Sequence, residues 1–159
     1  VGSEMCIRDS TYFGLFGPYL AGAKKIVVED AYVRKPYQLR NLAEFLEMLL
    51  RCKNPDEDVA VHLVTGHNEP GFMEAQLDGL NELASTFSQL GVNLTYEFRD
   101  TLHDRSITAD TGWEILPGRG LDIFQKFVDG DWLNPLLRHQ QLRRVKECKV
   151  TYRRIDEKQ

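Results

Sequence analysis

The densest set of side chains able to do chemistry is Thr101-Leu102-His103-Asp104-Arg105-Ser106-Ile107-Thr108-Ala109-Asp110. In a strand, alternate residues share a face, so His103 and Arg105 are expected to point the same way. Histidine serves as nucleophile or general acid near neutral pH. Arginine's planar fork grips a phosphate through two parallel hydrogen bonds. Asp110, folding back, would orient the imidazole and fix its tautomer. His103, Arg105 and Asp110 therefore read as a catalytic set for phosphoryl chemistry, with Asp104 supporting them. The plainer reading is the start of a strand with an Asp–Arg surface pair.

Two further clusters follow strand-like runs. Glu29-Asp30-Ala31-Tyr32-Val33-Arg34 closes an apolar run, and sites in open α/β sheets gather at the C-terminal ends of strands. The plainer alternative is an Asp30–Arg34 pair holding the loop onto the next helix. In Gly118-Arg119-Gly120-Leu121-Asp122 the flanking glycines let backbone approach a ligand closely. Arg119 would stand near the start of a short helix, where anions are favoured; the alternative is a tight turn with an exposed arginine. His62 lies in an apolar strand and reads as a satisfied core histidine. His67 falls in a loop, and with His139 the three show no metal-ligand spacing, so no metal or other cofactor is expected. Nucleophile-elbow, Walker and dinucleotide-binding motifs are absent.

The elements that must position these residues follow from periodicity. Residues 24–30 and 59–65 read as buried strands. Pro36 opens a helix at its first turn, with Leu39, Leu42, Ala43, Leu46, Leu49 and Leu50 as its apolar stripe and Asn54-Pro55-Asp56 as its stop. A second helix is expected from Phe72 to Leu90, with Leu77, Leu80, Leu83, Ala84, Phe87 and Leu90 inward and Gly91 as C-cap. Val92, Leu94, Tyr96 and Phe98 alternate with polar residues, as in a strand with two different faces. Leu102–Ala109 and Gly112–Leu116 suggest a hairpin. A short helical piece at 121–127 and a last strand at Cys148–Arg153 complete the chain. The order β-α-β-α-β-β argues for an α/β domain with parallel strands joined through helices.

At 159 residues, 42% hydrophobic and 28% charged, the chain is one globular domain's worth and is not disordered throughout. No apolar run is long enough to span a bilayer and no signal peptide is visible. A net charge of −4 argues against a general nucleic-acid binder. Cys6, Cys52 and Cys148 form no C-x-x-C, and a reducing, cytoplasmic setting is expected. The charge is unevenly placed. Arg138, Arg143, Arg144, Lys146, Lys149, Arg153 and Arg154 face only Glu147 between 138 and 154, a net +6 that leaves −10 for the rest. This stretch reads either as a solvated face balancing nearby carboxylates or as a landing surface for phosphate-bearing partners. Residues 1–10 show no apolar period, resemble a translated adaptor tail, and are set aside. The expected domain runs from 11 to 155, with a polar tail at 156–159, and an upstream domain is expected to be missing.

The residues also carry a resemblance. Val28-Glu29-Asp30-Ala31-Tyr32-Val33-Arg34 with Gln38-Leu39, Phe45-Leu46-Glu47-Met48-Leu49, His103-Asp104-Arg105 with Gly112-Trp113, and Gly118-Arg119-Gly120-Leu121-Asp122 resemble the phospholipase-D-like domain at the C-terminus of MIT-domain-containing proteins. That family also occurs in bacterial proteins. Arg143 and Glu147 match as well. The resemblance implies a layered phospholipase-D-like α/β sheet with helices on both faces, a homodimer, and binding to anionic phospholipid surfaces without hydrolysis. Its phosphate-binding residues would be His103, Arg105, Arg119, Arg34 and Tyr32, supported by Asp30, Gln38, Asp104, Gly118, Gly120, Asp122 and Glu147. The basic stretch would add peripheral membrane attraction. Active phospholipase D enzymes use H-x-K-x-x-x-x-D twice per site. His103, Arg105 and Asp110 stand at that spacing with Arg for Lys, so a phosphodiesterase acting across a dimer is the alternative, on lipid or, as a lesser candidate, nucleic acid. A structural dimerisation domain for a missing N-terminal partner is the third reading.

Overall fold

The structure, a computed structural model, describes residues 3–4, 12–118, 120–121 and 149–155. Its centre is a seven-stranded mixed sheet. The strands are β1 (Ser3–Glu4), β2 (Lys25–Glu29), β3 (Val59–Thr65), β4 (Val92–Phe98), β5 (Ser106–Ala109), β6 (Trp113–Pro117) and β7 (Val150–Arg154), in the order β1-β7-β6-β5-β2-β3-β4. β2, β3 and β4 are parallel; β2–β5, β5–β6, β6–β7 and β1–β7 pair antiparallel. Three helices complete the described fold: α1 (Tyr12–Leu20), α2 (Pro36–Cys52) and α3 (Met73–Ser88). The α/β class and the two helical connections between parallel strands are as the periodicity predicts. The expected strands at 59–65 and 92–98 match β3 and β4 residue for residue.

The core explains the strand pattern. Ile26 and Val28 of β2, Val61 and Leu63 of β3, Ile107 of β5, Ile115 of β6 and Tyr152 of β7 are buried and paired in register on one side of the sheet. All three described helices contribute to that same core. The second layer of helices expected on the opposite face, including the piece at 121–127, lies outside the described residues apart from Leu121. The opposite face carries polar ladders. His62, expected in the core, is more than a third exposed there, with Nδ1 on Thr95 Oγ1 at 2.8 Å and Nε2 on Glu97 Oε1 at 2.9 Å. The β3 register turns it away from the helices, since its neighbours Val61 and Leu63 take the core side.

α1 has no counterpart in the sequence analysis. Pro18 and two glycines mask its period, and burial holds it instead: Tyr12, Leu15, Phe16 and Leu20 are almost wholly enclosed. Within α3, Leu80 and Phe87 are inward as expected, but Leu77 is 40% exposed, and Leu90, expected inside the helix, lies beyond its end at 50% exposure. The inward position beside Leu77 belongs to Gln76, a polar residue at 1% exposure whose bonds are described below. β5 begins at Ser106 rather than Leu102, and β7 at Val150 rather than Cys148. Ser3–Glu4, set aside with the leading residues, runs along the edge of β7.

The ring of Phe45 meets Tyr12 at 6.3 Å and Phe16 at 6.1 Å, both edge-on, and Phe45 is fully buried. Phe45→Ala is expected to cost about 3–5 kcal/mol, because the cavity between two fixed rings cannot collapse. Urea denaturation checks this; a loss below about 1 kcal/mol would contradict the described packing.

Candidate functional site

One end of the sheet collects the C-terminal ends of β2, β3, β4 and β6 and the N-terminal ends of β5 and β7. The loop residues singled out from the sequence converge here because parallel strands deliver their loops to a common edge. Asp30 follows β2 and is 3% exposed. Its own N–H donates to Val64 O on β3 at 3.0 Å. Its Oδ1 accepts the Tyr32 N–H at 3.0 Å, and its Oδ2 accepts the Leu121 N–H at 3.2 Å. Arg105 Nε stands 3.9 Å from Oδ1. Among the described residues the cation paired with Asp30 is thus Arg105 from the β4–β5 loop, not the Arg34 four residues on that a local pair would use.

Arg105 also donates from Nη1 to Gly118 O at 3.2 Å, and its guanidinium lies 4.9 Å from the centre of the Tyr32 ring. The Arg34 guanidinium lies 4.8 Å from the same ring. One exposed tyrosine therefore carries two cations, each with its planar fork placed by backbone: Arg105 on Gly118 O, Arg34 on His67 O at 3.1 Å. Cation–π contact and a carbonyl anchor hold two like charges near each other. Gln38 accepts from the Arg34 and Lys35 N–H groups at 3.1 and 3.0 Å, a reach-back from the third position of α2 that fixes how the loop enters the helix. Beside Asp30 lies a shallow crevice of about 140 Å³, counting its open mouth, lined by Glu29, Ser106 and Gly120 among others.

The H-D-R segment departs from the expected strand. Residues 102–105 are irregular, His103 and Asp104 are exposed, and Leu102 and Arg105 are half-buried. His103 makes no hydrogen bond or ion pair among the described residues. Asp110 does not fold back. It lies beyond the other end of β5, about 17 Å from Arg105 at ordinary strand rise, and accepts the Lys24 N–H at 3.0 Å. The strand itself separates the two halves of the spacing, so Asp110 does not orient His103. Arg119, Asp122, Arg138, Arg143, Arg144, Lys146 and Glu147 lie outside the described residues. The described part of the basic stretch is divided between the ends of the sheet. Lys149 pairs with Gly118 beside the site. Arg153 and Arg154 lie at the far end, Arg153 on Glu114 at 2.6 Å and Arg154 over Trp113 at 5.3 Å. They do not form one surface with the site.

Four contributors escaped the sequence analysis: His67, Asn68, Gln76 and Asp100. Gln76 donates to Val33 O at 3.0 Å and Gly66 O at 2.9 Å and accepts the Asn68 N–H at 2.8 Å, tying three loop strands together. Asn68 donates to Arg34 O at 3.2 Å. Asp100 accepts the His67 N–H at 2.8 Å and sits 2.9 Å from His67 Nδ1. These bonds to His67, with the Arg34 charge, hold the Asp100 carboxyl below its usual range. The available signal was position: His67 and Asp100 each follow a parallel strand.

Gly120 has φ of +61°, and a Cβ there would stand 1.9 Å from Asp30 Oδ2. Gly71 also has positive φ, +94°, but nothing within 4 Å. Gly120→Ala is expected to cost about 2–3 kcal/mol and Gly71→Ala about 1 kcal/mol. Equal losses in chemical denaturation would contradict the close approach of this turn to Asp30.

The family described as the phospholipase D-like domain at the C-terminus of MIT matches residues 10–154. The mouse (Mus musculus) MIT domain-containing protein 1 is 37% identical over 117 residues, 73% of this chain; the match spans 46% of that protein's length. Among solved structures, TrmBL2, described as an archaeal chromatin protein with a novel mode of DNA binding, shares 10% identity and a TM-score of 0.41, covering 98% of this chain and 45% of that one. A likeness of that degree carries no argument here. The family match over nearly the whole chain and the identity to the mouse protein agree with the residues gathered at the sheet edge: the chain belongs to the family of phospholipase-D-like domains found at the C-terminus of MIT-domain proteins.

Proposed function

We propose that this domain is a homodimeric module that recognises phosphate groups, those of anionic phospholipid headgroups at a membrane surface, without turning them over. The observation that carries this reading is the pair of guanidiniums, Arg34 and Arg105, on the Tyr32 ring. Forked cations suit phosphate oxygens, and buried Asp30 holds the cluster in place before any ligand arrives. Turnover of the phospholipase D type would use the motif histidine as nucleophile, with a partner to orient it. The motif histidine, His103, has none among the described residues, which favours binding over hydrolysis. No helix among the described residues is long and apolar enough to cross a membrane; the attachment proposed is peripheral.

Co-sedimentation with anionic vesicles at low salt tests the reading. Arg34→Ala is expected to weaken binding about fivefold, the share of one basic residue at a charged surface. Arg105→Lys keeps the charge near Asp30 but loses the fork, and is expected to weaken binding several-fold. Both effects should shrink in molar salt, where charges are screened. Wild-type binding by both variants would sink the site and favour a purely structural dimerisation role. Turnover of bis-p-nitrophenyl phosphate that disappears in His103→Ala would replace the reading with a phosphodiesterase.

A further inference from the structure

His67 belongs to neither the H-D-R nor the G-R-G motif, yet it is the histidine beside the site that a carboxylate orients. Its Nδ1 stands 2.9 Å from Asp100 Oδ2 and 3.2 Å from Oδ1, and its backbone N–H donates to the same carboxylate at 2.8 Å. Its ring stacks on Phe98 at 4.2 Å, nearly parallel at 21°. Its carbonyl accepts from the Arg34 guanidinium at 3.1 Å. Three contacts thus fix the ring, and a fourth fixes the neighbouring cation. Nε2 has no partner among the described residues, nor have the other N–H groups of Arg34. The charges around the ring are Asp100, with Glu97 of β4 paired to Arg99 just beyond that strand, Arg34 from the β2–α2 loop, and Glu69 on the histidine's own loop.

Asp100 accepts from Nδ1, so a neutral ring presents a lone pair at Nε2 and a protonated ring presents a donor there. An anion is repelled by the first and bound by the second. A phosphomonoester carries three terminal oxygens and close to two charges at neutral pH. It can meet the Arg34 fork and still offer an oxygen to a donor alongside.

We propose that His67, held through Nδ1 by Asp100, binds the phosphate together with Arg34, and that the ligand of this site is a phosphomonoester. The proposal rests on the phosphate-recognition reading above and specifies its ligand. Binding tightens on acidification because the donor exists only on the protonated ring. Asp100 is a positioning residue, since it acts on the ligand through His67.

The test compares wild type, His67→Gln and Asp100→Asn on vesicles containing phosphatidic acid, a monoester, or phosphatidylserine, a diester, between pH 8 and pH 6. Both variants change exposed side chains, and thermal unfolding confirms that they fold. Wild type is expected to prefer phosphatidic acid, and His67→Gln to lose that preference. The affinity ratio of wild type to His67→Gln on phosphatidic acid should grow as pH falls, reaching about tenfold, the worth of one charge-assisted hydrogen bond; the ligand's own titration cancels in this ratio. Asp100→Asn should flatten the same pH profile. A His67→Gln variant that matches wild type on both vesicles at every pH overturns the inference and leaves the phosphate-recognition reading standing. Wild type that binds neither vesicle overturns both. Ring-proton NMR shifts of His67 separate the ligand sources. Shifts with vesicles alone assign the lipid headgroup, shifts with inorganic phosphate as well assign the free anion too, and shifts with neither overturn the proposal.

Discussion

A carboxylate removed from water must find partners or forfeit several kcal/mol. Asp30 is 3% exposed, and its carboxylate's partners among the described residues include the Tyr32 N–H just after it, the Leu121 N–H beyond β6, and the Arg105 guanidinium from the β4–β5 loop. Each partner is a piece of the candidate site. The bond to Tyr32 sets how the ring leaves β2, and Arg105 then lies against that ring. The bond to Leu121 pulls the turn after β6 so close that position 120 admits no side chain. The drying of one charged group therefore arranges the surroundings of the cations on Tyr32.

A second ring of buried polar groups does the same for the neighbouring loops. Thr65 is fully buried and accepts the Val33 N–H through its hydroxyl at 3.1 Å. Gln76, at 1% exposure, reaches two carbonyls and one amide. Satisfied polar groups in a dry setting specify geometry more sharply than apolar contact does, because a misplaced donor has no alternative partner. Arg34 and His67 inherit their positions from this network, which makes the site preorganised by side-chain-to-backbone bonds.

The sheet is asymmetric in the same way. One face is apolar and supports the three described helices; the other carries the His62–Thr95–Glu97 and Glu114–Arg153 ladders. Arg153 and Arg154 end β7 at the edge opposite the candidate site, a separation larger than the roughly 8 Å over which charges act in physiological salt. Among the described residues, the cations gathered at the candidate site are those beside Tyr32, while the far pair is engaged with Glu114 and Trp113.

Much of the fold was legible in the sequence because its cause is local. The β-branched run Val59–Thr65, the alternation Val92–Phe98, and Pro36 before a leucine stripe each determine an element from neighbouring residues. The family resemblance was legible for a similar reason, since it is carried by short contiguous motifs. Legibility failed where burial overruled local pattern, as in α1 with its internal proline and in α3, where Gln76 is inward and Leu77 outward. The residues Asp30, Tyr32, Arg34, Arg105 and Gly120 were all visible as site candidates, but their pairing was not. Asp30 chooses Arg105 over Arg34, Asp110 binds the far edge of the sheet, and His67 rather than His103 receives an orienting acid. Sequence spacing states which residues a strand presents. Which of them meet is decided by strand order, because β2, β3 and β5 become neighbours only in the folded sheet.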